Sequence, residues 1–177
     1  TKRKVVLMPV TFVPGASTGG YANNYGGGGT AGLAPFATEI MNMAFLNEGI
    51  NTLAWFKVEK ELEQVIPPFS QQEIASHRQM QQFYGIEPPS IVNDSNINEL
   101  IDTARNLGAC YVVRPLILQA SNTNKVNVNP LFGFTSLSKN AEVEIKMSII
   151  STREELDNPI IAIKTFAGRS SSVTKDR

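Results

Sequence analysis

Hydrophobic positions along the chain fall into short runs whose spacing changes twice. Lys4-Val5-Val6-Leu7-Met8-Pro9-Val10 is a continuous apolar run of strand length, and continuity without alternation predicts a central strand buried on both faces. Ala34 to Asn47 then carries Phe36, Ile40, Met43, Ala44 and Asn47 at helical spacing, with Pro35 in the first turn and Gly49 at the end. This predicts an amphipathic helix. Thr52-Leu53-Ala54-Trp55-Phe56-Lys57-Val58 reads as a second strand, followed by a short helix from Glu59 to Gln64 that Pro67-Pro68 must stop. Ser70 to Tyr84 is helical in propensity but polar, with Ile74, Met80 and Phe83 its main apolar positions, which puts it on the surface. Asp94 or Ser95 can cap a helix through Asn106, whose inward stripe is Ile97, Leu100, Ile101 and Ala104 and which Gly108 ends.

After Gly108 the helical period disappears. Cys110 to Leu118, Ala141 to Ser151 and Pro159 to Phe166 are strand candidates, and Val143, Ile145, Met147 and Ile149 alternate with Glu142, Glu144, Lys146 and Ser148. Alternation of this kind belongs to a sheet with one wet face. The predicted fold class is α+β: a mixed sheet built as βαβ, then two helices, then an antiparallel βββ meander, with the helices packed on the sheet. Three interruptions are predicted within a single domain spanning 1–177: a glycine-rich loop at 14–33, a proline-bounded helical insertion at 67–93, and a long loop at 119–140 between strands.

Composition narrows the function classes. At 177 residues a domain buries about 70% of the surface its unfolded chain exposes, so no staples are needed for a core. Sixteen basic side chains balance sixteen acidic ones, which leaves no long-range field to attract nucleic acid. Lys2-Arg3-Lys4 is read as a solubilising edge. Cys110 is the only cysteine, so an intrachain disulfide and a multi-thiolate metal site are excluded. No stretch approaches the roughly 18 apolar residues of a membrane-spanning helix. The chain starts at Thr1 without Met or an apolar leader and is read as a mature or trimmed form, with membrane association expected only through an anchor upstream.

Motifs for chemistry are sparse. Gly27-Gly28-Gly29-Thr30-Ala31-Gly32 satisfies the G-x-G-x-x-G fingerprint before a helix, with Glu59 as a candidate ribose ligand, and defines a nucleotide-binding enzyme as one alternative. In that fingerprint the first glycine follows the strand directly. Here about a dozen residues intervene, and the chain ends in a meander where parallel βαβ units would continue. Cys110 and His77 are a candidate nucleophile and base, but Cys110 sits in an apolar strand and His77 in a polar helix beside Arg78. Glu59, Glu61 and Glu63, and Glu142 with Glu144, occupy solvated positions. The expectation is therefore no enzyme, no catalytic residues, no cofactor and no metal. Binding falls to Tyr21 and Tyr25 in the glycine loop, and to Leu131, Phe132 and Phe134 at the tip of 119–140, where aromatic and aliphatic groups are rimmed by Asn122, Asn124, Asn127 and Asn129.

Several of these segments recur together elsewhere. Val5-Val6-Leu7-Met8-Pro9-Val10, the helix ending Leu46-Asn47-Glu48-Gly49, the strand before Val58-Glu59-Lys60, and Ala104-Arg105-Asn106-Leu107-Gly108-Ala109-Cys110-Tyr111-Val112-Val113 resemble, in order, a bacterial envelope superfamily. It includes the curli secretion channel subunit, penicillin-binding-protein activator lipoproteins, flagellar accessory proteins and the N-terminal domain of the Tol propeller protein. The glycine loop, the insertion and Arg114-Pro115 depart from its pattern. Gln119 to Asn140 is too polar for the membrane hairpins of the channel subunit. The resemblance implies a non-enzymatic assembly component of a cell-envelope machine (secretion, flagellar or outer-membrane), in the periplasm or anchored to the outer membrane. Its partners would be other envelope proteins, as a homo-oligomer or a subunit of a larger ring. The alternative it implies is a lipoprotein-type activator of a peptidoglycan synthase.

Overall fold

The computed structural model describes residues 3–17, 33–84, 90–129, 131 and 134–175. Its elements run β1 (Lys4–Leu7), β2 (Thr11–Ser17), α1 (Leu33–Asn47), β3 (Asn51–Leu53), α2 (Trp55–Leu62), α3 (Gln71–Tyr84), α4 (Ile97–Asn106), β4 (Ala109–Asn129), β5 (Phe134–Ser151) and β6 (Ile160–Lys175). They form one mixed sheet in the order β3-β1-β4-β5-β6, with β2 paired to β4 off that path. β1 runs parallel to β3 and β4, and β4, β5 and β6 are antiparallel. The fold is α+β, as the periodicities predict.

The apolar run at the start is divided. Pro9 has no N–H to give a ladder, so β1 ends at Leu7, and the chain re-enters the sheet as β2 further along β4. Within β1 the period of two sends Val5 and Leu7 to one face and Val6 and Met8 to the other. All four are buried, as a central strand requires.

The two faces carry different layers. Val6, Met8, Val112 and Ile150 join Val58, Leu62, Leu100, Ile101 and Ala104 from α2 and α4 in the main core. On the opposite face α1 covers Val5, Leu7, Val10, Val113 and Ile117 through Ala34, Ala37, Met41 and Phe45. Thr38 locks its first turns: Oγ1 accepts from the Val10 N–H and donates to the Ala34 carbonyl, both at 2.8 Å.

Four sequence expectations change. Residues 55–58 are helical, not strand: Trp55, Val58 and Leu62 fall at i, i+3 and i+7, which turns Val58 and Leu62 together into the core. The short helix expected from Glu59 thus begins at Trp55, and with α3 and α4 three helices stand between β3 and β4. In α1, which is apolar on two sides, the stripe Phe36, Ile40 and Met43 is exposed, and Ala34, Ala37, Met41 and Phe45 pack against the sheet instead. Residues 119–140 are not a loop. β4 continues to Asn129 and β5 begins at Phe134, in unbroken register from Gln119↔Glu144 to Asn129↔Phe134. Asparagine and serine lower strand propensity, but the paired backbone supplies the ladder, and α1 covers the ribbon at Ala120 and Val143. β6 likewise runs on past Phe166 to Lys175.

Glycine is required at two helix exits. Gly49 and Gly108 have φ of +69° and +80°, in the left-handed region where a Cβ is strained. The Gly108 N–H donates to the Arg105 carbonyl at 2.9 Å, closing α4 directly before β4. Gly108→Ala meets no neighbouring atom, so its effect is conformational alone. It is expected to cost about 1–2 kcal/mol in urea unfolding, with an unchanged m-value.

Candidate functional site

Of the residues singled out by sequence for binding, Leu131 and Phe134 fall within the described part of the chain. Tyr21, Tyr25 and Phe132 lie outside the described residues, as does the Gly27 to Gly32 run. Leu131 stands at the β4–β5 turn and is 85% exposed, and Phe134 opens β5 opposite Asn129. The expected binding loop is thus the tip of a long hairpin.

Candidate chemical groups are dispersed. The His77 ring packs edge-on against Phe69, with centroids 4.9 Å apart. Cys110 lines a cleft of about 650 Å³ with Arg3, Arg105, Tyr111 and Glu154, and His77 is not among its lining residues. That cleft opens at the N-terminal ends of β1 and β4, whereas ligands of open parallel sheets sit at the carboxyl ends. Two of its arginines are engaged: the Arg105 Nε donates to the Thr152 carbonyl and Nη1 to Asp102 at 2.7 Å, and the Arg3 Nη1 donates to the Tyr111 hydroxyl at 3.1 Å. Glu142 pairs with Arg169 at 3.0 Å, and Glu144 accepts from the Gln119 amide at 2.7 Å. Among the described residues no group of three or more His, Cys, Asp and Glu side chains is placed to hold a metal.

Perturbed acids mark structural joints. The Arg114 guanidinium beside Asp94 holds its carboxyl below the usual range, tying the approach to α4 onto β4. Ser70 lowers the Glu73 carboxyl through hydrogen bonds from its hydroxyl and N–H, both at 2.7 Å. The Glu73 N–H donates back to the Ser70 Oγ at 3.2 Å, completing a capping box at the start of α3.

The concentrated apolar surface lies elsewhere, on α1 and β6. The outer side of α1 presents Phe36, Ile40, Met43 and Leu46, at 60%, 50%, 56% and 75% exposure. An exposed apolar stripe of this extent is characteristic of a contact surface. β6 is an edge strand of 16 residues; Ile160 and Ile163, paired with Ile150 and Ser148, lie on one face, Phe166, paired with Ile145, on the other, and Ile161 at the bulge between Ile160 and Ala162, and all four are exposed. Long apolar edges are templates for another chain. The signals were present in sequence: two apolar stripes in one helix, and an apolar run at 160–166.

No family model and no curated protein matches the chain. Among solved structures it is similar to the LpoB C-terminal domain from Salmonella enterica, at 20% identity and a TM-score of 0.40, over 95% of this chain and 84% of that one. It is similar also to the hypothetical protein CT253 from Chlamydia trachomatis, at 16% identity and a TM-score of 0.43, over 97% and 74% of the two chains. A third is lipoprotein GNA1162 from Neisseria meningitidis, at 11% identity and a TM-score of 0.38, over 96% and 84%.

Proposed function

We propose that this domain is a non-enzymatic assembly component of a bacterial cell-envelope machine, acting in the periplasm by binding other proteins. The observation that carries the reading is β6, an edge strand of 16 residues on which Ile160, Ile161, Ile163 and Phe166 are exposed. Such an edge is a liability unless another chain covers it. The envelope setting comes from the ordered resemblance of the β1 run, the α1 exit and the α4–Gly108–β4 junction described above. Secretion, flagellar and outer-membrane machines, and activation of a peptidoglycan synthase, differ only in which protein occupies the surface.

Photo-crosslinking in the bacterial host distinguishes them. A crosslinking side chain at Ile163 is expected to give discrete adducts with periplasmic or outer-membrane proteins, and one at the exposed Glu63 of the α2 end none. Adducts at neither position, or only with cytoplasmic proteins, would overturn the proposal.

A further inference from the structure

β6 offers hydrogen bonds as well as apolar side chains. Among the described residues no strand pairs with its outer side, and every residue from Ile160 to Val173 is exposed. The Ser151 N–H donates to the Pro159 carbonyl at 2.8 Å. In an antiparallel ladder the bonded residues alternate, so Ile149, Met147 and Ile145 of β5 also bond toward β6. Their partners Ala162, Lys164 and Phe166 turn N–H and C=O inward. Ile163, Thr165, Ala167 and Arg169 turn theirs outward, a run of unpaired backbone beyond the bulge at Ile161.

The side chains of β6 define what an added strand must carry. Ile163 and Thr165 pair with Ser148 and Lys146, on the face that Ile150 shares with α2 and α4. Lys164 and Phe166 pair with Met147 and Ile145, on the α1 face. A neighbour in the more stable antiparallel sense opposes Phe166, Thr165, Lys164 and Ile163 in its own N-to-C order. Cross-strand pairing favours a β-branched residue opposite the ring, an acid opposite the cation and an aliphatic group opposite Ile163. The Lys164 Nζ lies back along its own face, 5.4 Å from the Phe166 centroid, and does not close the edge as an outward lysine would. From Ile160 to Lys175 the strand holds Lys164, Arg169 and Lys175 and no acid, and Arg169 is already engaged by Glu142. A second β6 would bring only the same cations.

On the protein-binding reading above, we infer that β6 takes its partner by strand addition: an extended segment of another protein, aliphatic, polar, acidic and aliphatic in that order, lengthens the sheet along residues 163–169. Main-chain bonds supply the affinity and alternate side chains the choice of partner.

The probe is a capped peptide of about ten residues centred on Val-Thr-Glu-Val, compared with the same peptide carrying Lys for Glu. Each is titrated to about 1 mM against the isotope-labelled protein and followed by amide NMR. The Glu peptide is expected to shift the amides of β6 from Ile163 to Arg169 and to bind several-fold more tightly than the Lys peptide. Thr165→Pro removes an outward donor without removing a β5 bond, and should weaken binding about tenfold or more. Thr165→Ala keeps that N–H and should bind like the unmodified protein. Lys164→Glu should invert the preference and favour the Lys peptide, a gain that misfolding cannot produce. Absent binding, equal binding of the two peptides, equal binding by Thr165→Pro and Thr165→Ala, or unmodified protein already dimerised through β6 would each overturn the inference. In the host, Ile163 adducts that survive Thr165→Pro would leave the protein-binding reading standing and sink strand addition alone. With no adducts at all, the reading itself fails.

Discussion

Leu100→Ala is expected to lower the unfolding free energy by about 3 kcal/mol, within the range of roughly 2–5 for a fully enclosed leucine. Leu100 has no exposed surface and sits in the main core with Val58 and Leu62 of α2, Val112 of β4 and Ile150 of β5. Truncation leaves a cavity bounded by two helices and two strands, and the sheet side has little freedom to collapse into it. The thermal midpoint should fall by about 6–12 °C for a domain of this size. Phe36→Ala removes a larger side chain from an exposed position and should move stability by less than about 0.5 kcal/mol. Equal losses for the two in a denaturant titration would mean that the outer side of α1 is covered within one chain.

Thr152→Val, nearly equal in shape, should cost about 2 kcal/mol. Thr152 is buried just beyond β5. Its hydroxyl donates to the Ala109 carbonyl at 2.7 Å, its N–H to the Cys110 carbonyl at 3.1 Å, and its own carbonyl accepts from Arg105. One residue thus joins the end of β5 to the α4–β4 junction. Valine fills the space but leaves the Ala109 carbonyl without that donor, a loss of about 1–3 kcal/mol for a buried acceptor. Thr152→Ser keeps the hydroxyl and gives up a methyl, at about 0.8 kcal/mol. Chemical unfolding should therefore rank valine below serine; the reverse order would show that packing, not the hydrogen bond, holds the junction.

Legibility followed the range of the interactions involved. The α4 stripe Leu100, Ile101 and Ala104 is buried as its spacing predicts, and Gly108 takes the positive φ that its place after the helix calls for. Both depend on neighbours within a turn or two. Trp55 to Val58 misled because three apolar residues in so short a stretch fit either period, and Leu62, four residues on, decided for the helix. Residues 119–129 were hidden for a different reason: their ladder partners lie across a turn, in 134–144, and backbone pairing has no side-chain signature. The binding candidates were chosen for aromatic content in segments read as loops. The structure adds exposed apolar side chains on regular elements, where exposure depends on what lies over them.

By itself, the sequence determined the class of the fold, the central place of β1 and the absence of a readable catalytic motif, because period, continuity and residue chemistry are local properties. Only the tertiary structure decided which side of α1 meets the sheet, how far the meander extends, and that β6 is left bare. These depend on which surfaces run out of partners once the helices have packed, and a helix with two apolar sides or a strand with two apolar faces cannot show in advance which one will be covered.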